Sequence, residues 1–302
     1  MTQRPPALII ALAVLAASCV LLPLLSILWG VPWEDALGLF TAPESQQALM
    51  LSLGTAGIAA VVCLILGLPL ALVLTRTRWR GRAVLRAAVL VPLVLPPVVS
   101  GLALLMTFGR RGLLGGLLDT LDIRIVFTTM AVVLAQIFVS LPFTVLTLES
   151  SLRTLGTAQE VAAAQLGARP LRVLVTITLP RLIPALVTGV VLAFARSLGE
   201  FGATLTFAGS MPGLTRTLPL EIYRVREVNP DAAATLSLLL VIVAFAVVLL
   251  AYAGPTHIRR PRSGAMPMQG VAGAVTADAA GGAPARDSLG RADGGGVDGE
   301  AR

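Results

Sequence analysis

Six apolar runs, at about 7–29, 48–75, 83–108, 125–148, 182–207 and 233–253, each approach or exceed the ~20 residues a helix needs to cross a bilayer core. Such a chain has few options. Backbone amides cannot stay unpaired in lipid, so each run is expected to be a helix and the fold an all-α polytopic bundle of six spans. Composition agrees, with 56% hydrophobic residues, 13% charged residues and a mean hydropathy of +0.87, more apolar surface than a single soluble core needs.

The positive side chains orient the bundle. Arg4 precedes the first run; Arg76, Arg78, Arg80, Arg82 and Arg86 fill the second connection; Arg153, Arg169, Arg172 and Arg181 fill the fourth; Arg259, Arg260 and Arg262 follow the last. The first connection carries Glu34, Asp35 and Glu44 and no arginine, and the third and fifth mix arginines with acids. The excess of basic residues in cytoplasmic loops predicts both termini inside. The net charge of +7 is therefore a topology signal. It does not indicate nucleic-acid binding, because the arginines are split among short loops instead of forming one face. Apolar sequence runs on from Cys19 through Trp29, as in an uncleaved span. Cys19 and Cys63 both lie within spans and read as packing residues. Residues 1–262 are expected to form one transmembrane domain. Residues 263–302, rich in Gly, Ala, Asp and Ser, are expected to be a disordered tail.

Missing residue types exclude whole classes of chemistry. The chain has no lysine, so a G-x-x-x-x-G-K-[ST] loop is impossible and ATP cannot be hydrolysed by that route. One histidine, His257, excludes multi-histidine metal sites and a histidine proton relay. No catalytic cluster and no metal site is expected.

A polar, small-residue segment interrupts the apolar pattern at Glu160–Pro180, within a connection spanning 153–181. Ala162, Ala163 and Ala164 favour helix and present almost no side chain, so a partner surface can approach the backbone. Gly167 is placed to end that helix with a left-handed cap, and Pro170 suits the first turn of the next. The expectation is a helix, turn and helix that docks another protein.

Glu160-Val-Ala-Ala-Ala-Gln-Leu-Gly167, followed by Ile177-Thr-Leu-Pro180, resembles the EAA loop of permease subunits of bacterial ABC importers, with Val161 as a minor departure. The resemblance implies a type I importer permease fold. It also implies that Glu160, Ala162, Ala163, Gly167, Ile177, Leu179 and Pro180 form a coupling element seated in a separate ATPase subunit, which would bind the ATP and Mg. Arg196-Ser-Leu-Gly-Glu-Phe-Gly-Ala-Thr204, Pro212-Gly-Leu-Thr-Arg-Thr-Leu-Pro219, Leu93-Val-Leu-Pro-Pro-Val-Val-Ser-Gly101 and Gly109-Arg-Arg-Gly112 are similar to the molybdate permease family, with sulfate and tungstate permeases as close relatives. That similarity covers most of residues 48–225. Its implied partners are two ATPase subunits, an extracytoplasmic oxyanion-binding protein and a second permease copy, in the bacterial inner membrane.

The residues make their own case for a path. Measured from Arg181, Arg196 lies roughly 22 Å and Glu200 roughly 28 Å along a helix, in the outer half of a bilayer core. Four residues apart, the two share a helix face and could form an ion pair that fixes the bundle, line an anion path, or do both. Ser197, Gly199, Phe201, Gly202 and Thr204 surround them. The small residues there suit either close helix packing or contact with a tetrahedral oxyanion. Pro96 and Pro97 must bend the third run, as a gate or as a tolerated kink. The function expected is an ATP-driven importer subunit for molybdate or a related oxyanion. The alternatives are a sulfate or tungstate permease, or an ion-coupled carrier for which Glu200 is the one clear intramembrane acid.

Overall fold

The computed structural model describes residues 6–253, and His257, Arg259 and the expected tail lie outside them. Thirteen α-helices are present among the described residues: α1 Ala7–Trp29, α2 Ala36–Thr41, α3 Pro43–Arg76, α4 Arg82–Val94, α5 Pro97–Phe108, α6 Gly115–Thr120, α7 Thr129–Leu155, α8 Ala158–Gln165, α9 Pro170–Val173, α10 Leu179–Leu198, α11 Gly202–Ala208, α12 Leu218–Arg226 and α13 Pro230–Ala253. A wider π turn, Leu174–Thr178, joins α9 to α10, so that Pro170–Leu198 runs as one helical stretch of 29 residues.

Local signals account for the boundaries. Pro43, Pro97 and Pro170 open α3, α5 and α9, where a missing amide hydrogen costs nothing. The Thr128 hydroxyl accepts from Ala131 N at the start of α7. Glu44 in the first turn of α3 and Arg76 in its last complement the helix dipole.

Two of the six expected spans are not single helices. The run 83–108 breaks between α4 and α5, because Leu95 and Pro96 are extended (ψ 133° and 139°) ahead of the consecutive prolines Pro96 and Pro97. At 13 and 12 residues, neither piece spans alone. The run 182–207 ends as a helix at Leu198, and Gly199, Glu200 and Phe201 separate it from α11. Among the described residues, five helices are long and apolar enough to cross a membrane: Ala7–Trp29, Pro43–Arg76, Thr129–Leu155, Pro170–Leu198 and Pro230–Leu249.

The centre is built by α3, α7 and α10. Cys63 lies beside Ile137, and Arg76 reaches Leu152, so α3 and α7 run parallel. Gly189 faces Thr144 and Ser197 meets Ser140, so α10 runs antiparallel to α7. Small residues make the close approach possible: Ala56, Ala59, Ala60, Cys63 and Ala71 on α3 are fully buried, and a Cβ added at Gly67 would stand 3.0 Å from Thr144 Cγ2. In lipid such packing, rather than apolar burial, holds helices together. Cys63 packs as expected. Cys19 does not: it is exposed on α1, a helix with no buried residue.

Candidate functional site

The two ends of α10 carry two separate constellations. The helix itself is 20 residues long, about 30 Å.

At the α3 and α7 C-terminal end, the expected helix, turn and helix is present. Gly167 sits at φ +83° and closes α8 with Gly167 N donating to Ala164 O and Ala168 N to Ala163 O, both at 3.0 Å. Among the described residues, little else covers this element. No residue of α8 is buried, and Val161, Leu166 and Leu171 are 51%, 89% and 72% exposed around the turn. Ala162 is exposed and Ala163 half-buried; Ile177 and Leu179 are half-buried in the π turn and at the start of α10, and Pro180 is exposed. Glu160 behaves differently from its neighbours. Its carboxylate turns back into the bundle, where Oε1 accepts from Arg76 Nη2 at 3.0 Å and from Thr178 Oγ1 at 2.9 Å. A cleft of about 410 Å³ opens beside this ion pair.

At the other end of α10, Arg196 and Glu200 form the anticipated ion pair, Nη1 to Oε2 2.7 Å. The helix has already ended, so Glu200 also serves a second element: its Oε1 accepts from Ala203 N at 2.9 Å and caps the first turn of α11. Glu200 is 2% exposed and Arg196 31%. Ser197 is tied to α7, its hydroxyl 2.8 Å from Ser140 Oγ and its carbonyl accepting from Gln136 Nε2 at 3.2 Å. Ser197, Gly202 and Thr204 are buried, Phe201 is half-buried against Tyr223, and Gly199 is exposed. Pro97 meets Gly202, where an added Cβ would stand 2.6 Å from Pro97 Cβ, and Gly101 leaves no room beside Ala203 and Thr206. The break in the third run and the break in the fifth are therefore packed against each other. Pro96 is exposed at the first of these breaks.

Three parts of the arrangement were missed at the level of sequence. Glu149 on α7 is 2% exposed and paired with Arg153 (2.6 Å) and with Arg86 of α4 (3.2 Å), so Glu200 is not the single buried acid. The spacing of Glu149 and Arg153, four apart, was a usable signal. Gln136 and Ser140, also four apart, were legible as a polar face on an apolar helix. Glu221 on α12 is gripped by Arg216 and Arg224. The hydrogen bond from Arg224, aided by both positive charges against the opposing effect of burial, holds its carboxyl below the usual range. A cavity of about 490 Å³ between α5, α6 and the segment before α7 is lined by none of the residues expected to form a path. It is an apolar recess with Arg110 and Arg124 among its walls. Among the described residues, no group of three His, Cys, Asp or Glu side chains is placed to hold a metal ion.

The family model for the inner membrane component of binding-protein-dependent transport systems matches residues 63–256. The chain belongs to that family. This transport-system permease is 59% identical over 230 residues to the molybdenum transport system permease protein ModB of Mycobacterium tuberculosis, covering 76% of the chain and 87% of that protein. It is 40% identical to ModB of Escherichia coli over 75% of the chain and 99% of that protein. To the sulfate transport system permease protein CysT of Escherichia coli it is 36% identical, over 78% and 83%. Among solved structures, a bacterial alginate ABC transporter in complex with an alginate-bound periplasmic protein aligns with a TM-score of 0.65 at 16% identity, over 81% of this permease and 91% of that chain. The MetNI methionine ABC transporter, in inward-facing conformations, aligns at 0.55 with 18% identity. At such identities the likeness concerns the fold: an all-α polytopic permease.

Proposed function

We propose that this permease carries molybdate into the cytoplasm as the membrane-spanning part of an ATP-driven importer. The observation that carries the cargo is the gradient of similarity, 59% to a molybdenum permease against 36% to a sulfate permease. The driving arrangement rests on the chain itself. It has no lysine for a phosphate loop, and among its described residues it presents an exposed helix and turn, Ala158–Arg169, at the arginine-rich end that faces the cytoplasm by the distribution of basic residues.

In this reading two copies assemble around a shared path in the bacterial inner membrane, with both termini inside. Two ATPase subunits, which hold the ATP and Mg, receive α8 and the turn at Gly167, and an oxyanion-loaded binding protein docks outside near 210–231. There Leu214, Tyr223 and Val228 are 42%, 47% and 81% exposed. Closure of the ATPases moves α8, α9 and the foot of α10. The broken segments at Pro96–Pro97 and Gly199–Phe201, packed on each other, then exchange one opening for the other. Because Ser197 and Thr204 are buried in helix contacts, Arg196, partly exposed and paired, is the charge best placed to meet a passing anion. A permissive conduit of this kind need not bind tightly, since release must remain easy.

The cargo is tested by uptake of labelled molybdate into vesicles holding the full importer with its own binding protein, in competition with unlabelled oxyanions. Equimolar tungstate is expected to compete and equimolar sulfate to leave uptake near its starting value. Equal competition by sulfate would replace the molybdate assignment with a sulfate one, the second reading that the 36% relative keeps in view.

A further inference from the structure

We propose that Arg76, outside the coupling segment, is the positioning residue through which movement of that segment reaches the transmembrane helices. The inference rests on the coupling role given above to α8. Its starting point is that α8 packs poorly: no residue of it is buried, and a cleft of about 410 Å³, lined by Leu72, Val73, Ala164 and Leu174 among others, separates it from the end of α3. Apolar contact cannot transmit much across such a gap.

Polar contact can, and it is concentrated on one guanidinium. Arg76 Nη1 donates to Leu152 O at 3.3 Å, and Nη2 donates to Gly156 O at 2.9 Å and to Glu160 Oε1 at 3.0 Å, while Nε stands 3.0 Å from Glu160 Oε2. The same Glu160 Oε1 accepts from Thr178 Oγ1 in the π turn at 2.9 Å. The end of α3, the last turn of α7, α8 and the foot of α10 thus meet at one paired charge. Arg76 and Glu160 are each 21% exposed, sheltered enough for the pair to hold a fixed geometry. A planar fork that donates to two carbonyls and one carboxylate oxygen, with its charge held 3.0 Å from the other, has no counterpart in a lysine ammonium.

The test is made on the intact importer in vesicles, reading molybdate uptake and ATP hydrolysis together with co-purification of the ATPase. Arg76→Lys is expected to lower uptake roughly tenfold, within the range usual for coupling between sites, while the ATPase stays bound and the ATP consumed per anion rises. Thr178→Val, which removes one of the bonds, should shift the same ratio less. If Arg76→Lys transports with an unchanged ratio, or if uptake and hydrolysis fall strictly in proportion to the amount of folded protein, the positioning role is overturned. Loss of the ATPase from Arg76→Lys complexes would also overturn it, since Arg76 is not on the exposed face of α8. Failure of the underlying coupling role reads differently: Gly167→Asp would then keep both its ATPase and full uptake.

Discussion

Ala163→Trp and Gly167→Asp are expected to abolish uptake while the protein still inserts in the membrane. Neither side chain enters the α3, α7 and α10 centre, so the bundle keeps its packing. What changes is the shape of the exposed element. Ala163 is half-buried on α8, and an indole there adds a bulk that no partner groove shaped to alanine can admit. Gly167 holds φ +83°, a conformation that costs an ordinary L-residue about 1–2 kcal/mol, and aspartate adds a charge at the surface where the partner must approach. The Cβ itself meets nothing within 4 Å, so the effect comes from the turn and the charge and not from a clash inside the chain. Quantification of membrane-inserted protein, co-purified ATPase and ATP-dependent uptake checks all three parts. Normal uptake with a normal complement of ATPase would remove α8 as the coupling helix.

Arg196→Ala should destabilise the permease more than Glu200→Ala, although both break the same ion pair. The asymmetry follows from burial. Removing Glu200 leaves a guanidinium that is 31% exposed and not enclosed by the protein, whereas removing Arg196 strands a carboxylate that is 2% exposed. Leaving one buried partner unpaired typically costs about 3–5 kcal/mol. Loss of the cap on Ala203 N, which accompanies only the Glu200 change, costs about 1 kcal/mol. Arg196→Ala combined with Glu200→Gln should recover much of the thermal stability, because no unpaired charge remains. It should not recover uptake if Arg196 meets the anion. Thermal unfolding in detergent, set beside uptake, separates these effects. Equal midpoints for the two single variants would contradict the burial argument, and full uptake by the double variant would take Arg196 off the path.

The sequence and the structure agree most closely where backbone chemistry decides. Gly167 and Pro170 announce the turn after α8, and the apolar runs announce the spanning helices, because lipid leaves a chain no alternative to helix. Breaks were harder to see. Pro96 and Pro97 gave notice of a bend in the third run, but nothing in Arg196–Thr204 by itself shows that Gly199–Phe201 leaves the helix. That outcome depends on contacts with Pro97, Ser140 and Gln136, which are distant in sequence. The same applies to Glu160. As part of a motif it reads as a docking residue, and only the fold reveals that its carboxylate is held by Arg76, 84 residues away. Arg76 itself was legible solely as one of several basic residues in a loop, since hydropathy and charge counting carry no information on pairing. Glu149 escaped notice for a similar reason: it stands just past an apolar run, where an acid is ordinarily solvated.

The central claim is that transport is driven by ATP through a separate subunit docked on α8. It is tested most directly by loading vesicles that contain the permease, its ATPase and its binding protein with ATP, and following labelled molybdate with the ion gradients collapsed. Accumulation is predicted only when ATP, the ATPase and the loaded binding protein are all present. Accumulation by the permease alone, driven by an imposed proton or sodium gradient, would contradict the account and make the protein an ion-coupled carrier.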